Sequence, residues 1–247
     1  MHIDKKGQAT IFVVLGIVVL VVVIFTLMLF KYNIGRETFQ LDVSDIKNAV
    51  ESCNKGIAKD SLVLLGAQSG RYKNFFRPIE QENEVLGAVY VSHFAYGGDV
   101  SEFTLDDVEA EINEYYGEKM PECLNYFDDF KNAGFEIEEN GMNVNVEFLD
   151  DATRFILDYE IIVSKDGKKG IAKEYIPAEI PYRFKKVFDI SVESAEMHAD
   201  TGKIPISYIY GNGLELYNYD VKNSVVYRLI DQKNDGERRY VFYFAAS

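Results

Sequence analysis

The chain has 247 residues, of which 47% are hydrophobic and 27% are charged, and its formal net charge is −14. It is long enough for one large domain or two small ones and too apolar for a disordered chain. The negative charge argues against a nucleic-acid-binding protein, which needs a basic surface for phosphates, and three histidines with two cysteines leave few ligands for a zinc site.

The first predicted element is an apolar run from Ile11 to Phe30. Eighteen of its 20 residues are apolar and none is charged. A helix of 20 residues is about 30 Å long, which matches the hydrocarbon core of a bilayer. The sequence therefore predicts a transmembrane helix within residues 8–31, with the lipid bilayer as its partner. A short cytoplasmic leader, residues 1–7, precedes it, and an extracytoplasmic domain, residues 32–247, follows.

The orientation of this helix rests on its two flanks. Lys5 and Lys6 precede the run, whereas Lys31 and Arg36 follow it, so the Lys and Arg counts are equal. The α-amino group on the short flank favours a cytoplasmic N-terminus. Because the run exceeds the about 7–15 apolar residues of a cleavable secretory signal, we expect a retained single-pass anchor in the cell membrane.

The segment KKGQAT before the run resembles the leader of an archaeal type IV pilin. In that family a prepilin peptidase cuts on the cytoplasmic side of the apolar helix, and the resemblance implies a cut between Gly7 and Gln8. Many pilins have Glu as the fifth residue of the mature chain, whereas this chain has Phe12 there. Two interpretations stay open: a processed pilin-like leader and an uncleaved signal anchor.

A helical pattern begins at Asp42 or Ser44, either of which could cap it. Its apolar or small residues are three or four positions apart and so share one face: Ile46, Val50, Cys53, Ile57, Ser61 and Leu64. Gly66 and Gly70 mark its expected end. A strand is then predicted from Val85 to Tyr96.

Two signals predict further helices. Thr104 and Asp107 have the spacing of a capping box at the start of a second helix. Pro121 suits the first turn of a separate short helix, because a proline lacks the N–H that the first turn leaves unpaired.

From Phe135 onwards apolar residues alternate with polar ones, and Asn140-Gly141 and Asp166-Gly167 each predict a hairpin turn. The later segments predict one helix and three strands, in the order Phe184–Ala199, Ile204–Tyr210, Ser224–Ile230 and Tyr240–Ala245. The expected fold class is α+β with a mostly antiparallel sheet. The outer part forms either one domain or two subdomains, a helical one at 40–132 and a β-rich one at 133–247.

Cys53 and Cys123 are the two cysteines of the chain. With a cytoplasmic N-terminus both lie outside, where thiols oxidise. One disulfide between them closes a loop of 70 residues, which the chain-entropy model values at about 4 kcal/mol. The alternative is a pair of unpaired cysteines that pack as small apolar residues, and we favour the disulfide.

Several segments are similar to a family of uncharacterised single-pass membrane proteins of DPANN archaea. They are KKGQATIF, VESCNKGIAKDSLVLLGAQSG, EAEINEYYGEKMPEC, GFEIEENGMNVNVEF, VVYRLID and YVFYFA. The resemblance covers most of the chain, and the surroundings of Cys53 and Cys123 are its most distinctive part. Ser69 departs from it, because a Gly-Gly pair is expected there. The resemblance implies a membrane-anchored protein of the outer cell surface and no particular activity.

No group of residues predicts catalysis, a cofactor or a metal site, and we expect no enzyme. Ser69 lacks the flanking glycines of a nucleophile elbow, and His93 and His198 have no second ligand at metal-binding spacing. Tyrosines are abundant near the C-terminus and either form a protein or glycan contact surface or reflect β-propensity. They are Tyr208, Tyr210, Tyr217, Tyr219, Tyr227, Tyr240 and Tyr243.

The negative charge is concentrated in residues 99–151. This segment has seventeen Asp and Glu against two Lys, a net charge of −15, which leaves +1 for the rest of the chain. It is either a solvated face or a surface that collects divalent cations or a basic partner.

Together these patterns favour a membrane-anchored structural or interaction protein of the cell surface, pilin-like or accessory. Its expected partners are the bilayer, a prepilin peptidase if the leader is processed, and either an unknown protein or further copies of itself. The alternative function is a membrane-tethered module that binds a protein or glycan through its tyrosine-rich sheet. Nucleic acid is not an expected partner.

Overall fold

The computed structural model describes residues 18–26, 42–83, 86–233 and 239–247. Residues 18–26 form a helix, within which the Thr26 hydroxyl donates to the carbonyls of Val22 and Val23. The proposed cleavage point at Gly7 and Gln8 lies outside the described residues, as do both ends of the apolar run, 11–17 and 27–30.

The elements after residue 41 alternate between helices and strands. The helices are α1 (Ser44–Ala67), α2 (Leu105–Cys123), α3 (Asp128–Asn132), α4 (Phe184–Thr201) and α5 (Ile206–Gly211), with a 3-10 turn at Asn125–Phe127. The strands are β1 (Ile79–Asn83), β2 (Gly87–Val91), β3 (His93–Tyr96), β4 (Asp99–Val100), β5 (Glu136–Phe148), β6 (Thr153–Lys165), β7 (Lys168–Ala172), β8 (Ala178–Ile180), β9 (Leu214–Val221), β10 (Ser224–Asp231) and β11 (Val241–Ala246).

The strands form two larger sheets and one hairpin. The five-stranded sheet has the order β4-β3-β11-β10-β9, and its β3–β11 pair is parallel. In the second sheet β6 pairs with β5 along one edge and with β7 and β8 along the other, all antiparallel. Strands β1 and β2 form the antiparallel hairpin. The predicted α+β class with mostly antiparallel sheets is confirmed.

Helix α1 packs against both larger sheets and against α2. The face predicted from the sequence is buried except at its last position, where Leu65 takes the place expected for Leu64. Gly66 does not end the helix. Instead, a Cβ at this position would lie 2.5 Å from the Val241 carbonyl oxygen, so glycine is required for α1 to approach β11. The helix ends one residue later, and Gly70 follows with a φ of +79°.

The two proposed subdomains share one core. Strands β3 and β4, from the segment 40–132, belong to the same sheet as β9, β10 and β11. The Phe94 ring on β3 contacts the rings of Phe188, Phe242 and Phe244, all from the segment 133–247. In the described part of the chain, the expected boundary near residue 133 therefore does not separate two hydrophobic cores.

Two helix and strand predictions before residue 133 need correction. The strand predicted from Val85 to Tyr96 is broken at Ser92 into β2 and β3, which belong to different sheets. Ser92 donates its N–H to the Ser69 hydroxyl, which in turn donates to the Ser92 carbonyl, and these bonds hold the break. Pro121 does not begin a new helix but lies in the last turn of α2, where it cannot donate an N–H to the Gly117 carbonyl.

Two later predictions were wrong as well. Asn140-Gly141 is not a hairpin turn but an irregularity within β5, where the register against β6 shifts and Gly141 has a φ of +68°. Segment 204–210 is not a strand, since α5 occupies most of it and only Ile209 of that helix is buried. The turn at Asp166-Gly167 is confirmed, and both of its residues have positive φ.

Candidate functional site

The two cysteines lie on neighbouring helices. Cys53 is in the middle of α1 and Cys123 is the last residue of α2, and their sulfur atoms are joined, 2.06 Å apart. One residue along α1, the Asn54 side chain and carbonyl accept hydrogen bonds from the Tyr116 hydroxyl of α2. The contact between the two helices therefore combines a covalent link with a buried polar one.

The helical residues 18–26 expose their apolar side chains. From Val18 to Phe25 the exposed fractions lie between 48% and 63%. Within the described residues, no helix is long and apolar enough to cross a membrane.

The acidic segment 99–151 includes a carboxylate that serves the fold. Glu111 on α2 is buried and accepts hydrogen bonds from the backbone N–H groups of Tyr72 and Lys73, at 2.8 and 3.0 Å, and from Asn74 Nδ2, at 2.9 Å. This carboxylate therefore fixes the loop that follows α1. Sequence reasoning missed this role, because the three donors lie 37 to 39 residues away.

Further along α2, the acidic side chains form an exposed cluster around one lysine. Lys73 Nζ lies 3.0 Å from Glu114 Oε1 and also binds Glu118. Hydrogen bonds from Lys73 and from the Tyr72 hydroxyl lower the pKa of the Glu118 carboxyl. Among the described residues, no group of three or more His, Cys, Asp or Glu is placed to hold a metal ion.

Helix α2 also covers the edge of β5. Asn113 accepts from the Val144 N–H and donates to the Val144 carbonyl, both at 2.8 Å. Two residues along the strand, the Val146 N–H donates to Glu109 at 2.9 Å. These side chains form hydrogen bonds with backbone groups that an edge strand would otherwise leave free to pair with another strand.

The C-terminal tyrosines divide into two groups. Tyr227 and Tyr240 are buried, where the Tyr227 hydroxyl lies 2.8 Å from His198 Nδ1 and the Tyr240 hydroxyl donates to the Leu62 carbonyl. Helix α5 contains Tyr208, which donates to Glu193, and Tyr210. Strand β11 contains Tyr243. On β9, Tyr217 and Tyr219 are exposed.

Strand β9 is one of the elements that the sequence analysis missed. Its inner residues, Leu214 and Leu216, pack into the core, whereas Tyr217 and Tyr219 point to the other face. Alternation of Leu and polar residues over LELYNYDV was the available signal. The strand lies at the end of the five-stranded sheet, and β10 is its one strand neighbour among the described residues.

A cavity of about 390 Å³ adjoins the outer face of this sheet, between the end of α1, the tip of the β1–β2 hairpin, β10 and β11. Arg228 contributes to its lining, and the register of β10 places Tyr217 and Tyr243 directly opposite it on the two neighbouring strands. Its Nε is buried without a hydrogen-bond partner among the described residues. Arg239 and Glu82 also line the cavity. An arginine in this setting can bind a carboxylate or another planar anion.

The histidines considered as ligands have internal roles. His93 is buried, and its Nδ1 lies 2.5 Å from the Arg77 carbonyl oxygen, so Nδ1 carries the proton and donates. Its Nε2 then accepts from the Ser224 hydroxyl at 2.9 Å. Burial lowers the pKa of His93. It also lowers the pKa of His198, which is less buried. The Ser69 hydroxyl forms hydrogen bonds with the backbone N–H and carbonyl of Ser92.

Comparison with protein-family models, curated proteins and solved structures found no match for this chain. The residues described above are therefore the basis for any functional conclusion.

Proposed function

We propose that this protein is a membrane-anchored structural or interaction protein of the cell surface, with an acidic α+β domain outside the cytoplasm. The observation that carries the proposal is the exposure of the apolar side chains in residues 18–26. A helix that is apolar on every side has no stable place in water, and it requires lipid or an apolar partner. The apolar sequence from Ile11 to Phe30 is long enough to cross the hydrocarbon core.

The joined cysteines support the same orientation. Disulfides persist outside the cytoplasm and are rare inside it. A cytoplasmic N-terminus puts Cys53 and Cys123 on the oxidising side of the membrane. The pilin-like leader and the resemblance to single-pass membrane proteins of DPANN archaea agree with this arrangement, with cleavage between Gly7 and Gln8 as the further hypothesis.

Membrane fractionation of cells that express the full chain tests the anchor. We expect the protein to stay with membranes after alkaline carbonate extraction and to become extractable when Val22 and Ile24 are both replaced by Asp, since each Asp costs about 2.5–3.5 kcal/mol at a helix centre. Ile176→Asp is the matched control, because Ile176 is an exposed apolar residue of the folded domain. Carbonate extraction of the unchanged protein would contradict the proposal.

The mass of the mature N-terminus tests processing separately. A chain that starts at Gln8 supports the pilin-like leader, whereas a chain that starts at Met1 favours the uncleaved signal anchor.

The second candidate function is a membrane-tethered binding module that uses the tyrosine-rich sheet. The exposed side chains of Tyr217 and Tyr219 and the cavity at Arg228 favour it. Exchange of Arg228 for Lys keeps the charge but removes the planar fork, so it should weaken binding of any carboxylate partner captured by the purified protein. An unchanged affinity would exclude the cavity as the binding site.

A further inference from the structure

We propose that the cavity at Arg228 binds a small organic monocarboxylate with an apolar body. The carboxylate of the ligand pairs with the Arg228 guanidinium, and its apolar part packs against the aliphatic and aromatic wall of the cavity. This inference deepens the second candidate function by naming the class of ligand, and it rests on that function rather than on the membrane anchor.

The cavity lies where the β1–β2 hairpin covers part of the outer face of the five-stranded sheet. Val91 of the hairpin packs against Val226 of that face, and the Tyr219 hydroxyl donates to Gln81 at 3.0 Å. Towards the hairpin tip this packing gives way to the cavity of about 390 Å³. Arg228 follows Val226 by two positions on β10, so its side chain points to the same face, towards the hairpin.

The guanidinium of Arg228 has no carboxylate partner within the described part of the chain. Its Nε is buried and has no hydrogen-bond partner there. Arg154, Arg183 and Arg239, by contrast, each form an ion pair with an Asp or Glu. Because an unpaired buried donor is unfavourable, a carboxylate supplied by a ligand removes a cost that the described fold does not remove itself.

Two tyrosine rings flank this guanidinium. The Arg228 Cζ lies 5.8 Å from the centre of the Tyr217 ring and 5.9 Å from the centre of the Tyr243 ring. Contacts of this kind with aromatic rings restrict an arginine side chain while they leave its N–H groups free to donate. Less side-chain freedom is then lost when a ligand binds, and the two oxygens of a carboxylate match the parallel N–H groups.

The rest of the cavity wall is largely apolar. Tyr182 and Tyr240 contribute a stacked pair of rings whose centroids are 4.9 Å apart. The aliphatic lining residues are Val63, Ala67, Leu86 and Val241. The cavity volume falls within the roughly 300–1,000 Å³ that is usual for small-molecule sites, which combine apolar walls with a few polar groups. The ligand therefore needs an apolar body as well as the carboxylate.

The charged residues around the cavity limit the ligand to one negative charge. Arg228 and Arg239 are basic and Glu82 is acidic. Arg239 is already paired with Glu215 at 3.0 Å, so among the described lining residues Arg228 is left to neutralise the ligand. A second negative charge on the ligand would meet Glu82 without a cation of its own, which is unfavourable. A monocarboxylate therefore fits better than a dicarboxylate or a phosphate.

Ligand-observed NMR with the full chain in detergent tests the site. The probes are phenylacetate and hexanoate, with acetate as the acid that lacks an apolar body and phenylacetamide as the uncharged analogue. We expect the two larger acids to bind about tenfold more tightly than acetate, because acetate buries little apolar surface. We expect phenylacetamide to bind about tenfold more weakly than phenylacetate, because it has no charge to pair with Arg228.

Two variants locate the binding. Arg228→Gln should weaken the binding of phenylacetate about tenfold. Arg154→Gln is the matched control and should leave it unchanged, because Arg154 is paired with Glu147 and Glu179 on the other large sheet. Val63→Phe keeps Arg228 but fills part of the cavity, so it should also weaken the binding of phenylacetate. Thermal unfolding of each variant verifies that it folds.

Binding of phenylacetate or hexanoate that falls in Arg228→Gln and persists in Arg154→Gln supports the proposal. Equal binding by the two variants, or no saturable binding of either acid below about 10 mM, overturns it. Carbonate extraction of the same variants measures the anchor separately. A captured partner whose affinity depends on Arg228, found while neither acid binds, refutes the ligand class and leaves the binding-module function unaffected.

Discussion

The two long edge strands of this protein, β5 and β9, differ in what surrounds their free edges. Strand β5 belongs to the acidic segment 99–151. Its backbone groups at Val144 and Val146 form hydrogen bonds with Asn113 and Glu109 of α2. Strand β9 lies in a segment, residues 205–233, whose three acidic and three basic residues balance, and it has β10 as its one strand neighbour among the described residues. The comparison shows that part of the acidic charge serves internal hydrogen bonds, whereas Tyr217 and Tyr219 of β9 are exposed.

The largest loss of stability is expected when the covalent link between α1 and α2 is removed. Replacing Cys53 and Cys123 together by Ala removes the link that closes 70 residues, and we expect the free energy of unfolding to fall by about 4 kcal/mol. Urea unfolding of the full chain in detergent measures it. Reduction of the unchanged protein is the control and should give a similar loss, and a loss under about 1 kcal/mol would contradict the chain-entropy argument.

A smaller loss is expected at the carboxylate that fixes the loop after α1. In Glu111→Gln the amide oxygen can still accept from the N–H groups of Tyr72 and Lys73, but the N–H₂ group then faces Asn74 Nδ2. The loss of that bond and of the carboxylate charge should cost about 1–3 kcal/mol. Glu118→Gln on the exposed side of the same helix is the matched control and should cost clearly less. Equal losses in thermal or urea unfolding would show that Glu111 has no special role.

Opening the covered edge would make β5 resemble β9. In Glu109→Ala the Val146 N–H loses its acceptor, which should cost about 1–2 kcal/mol, and the freed edge should increase self-association. Sedimentation velocity and urea unfolding measure the two effects. Glu122→Ala, which removes an exposed ion pair with Lys119 on the same helix, should cost about 0.5 kcal/mol and leave association unchanged. No gain in association by Glu109→Ala would weaken the contrast between the edges.

The smallest expected effect is a pH dependence on the open side, where His93 joins β3 to the start of β10. Burial lowers the pKa of His93, so the unfolded chain takes up a proton at a higher pH than the folded chain does. The contribution of His93 is therefore full above about pH 6.5 and is lost as the pH falls through that value towards the folded pKa.

His93→Gln should accordingly flatten the dependence of the unfolding free energy on pH between about 7 and 5. His198→Gln is the comparison, with a smaller change, because His198 is less buried. An NMR titration of the His93 ring with a midpoint at or above about 6.5 would contradict the assignment.

Local patterns were sufficient where a residue's neighbours in sequence decide its structure. The face of α1 as far as Ser61, the capping box of Thr104 and Asp107, and the turn at Asp166-Gly167 were predicted correctly. Asn140-Gly141 has the same turn chemistry as Asp166-Gly167, but β6 is long enough to pair on both sides of it, so the positive φ of Gly141 is used within a strand.

Features that depend on residues far apart in the sequence could not be predicted from local patterns. Segment 204–210 was predicted as a strand, yet packing of Ile209 against β9 favours a short helix after Pro205. The covered edge of β5 depends on contacts 31 to 37 residues apart, and the open edge of β9 depends on the order of strands in the sheet. No local pattern contains that order, so the candidate site could be predicted as a set of tyrosines but not as a strand edge.

The position of β11 has a consequence for how the chain reaches its folded state. Residues 241–246 form the strand between β3 and β10, and Ser247 exchanges backbone hydrogen bonds with Ala95 and Gly97. The centre of the five-stranded sheet therefore cannot assemble until residue 246 has been synthesised, about 150 residues after its parallel neighbour β3. Until then β3 and β10 have unpaired edges, and the growing chain depends on its helices and on the β5–β6 hairpin to limit aggregation.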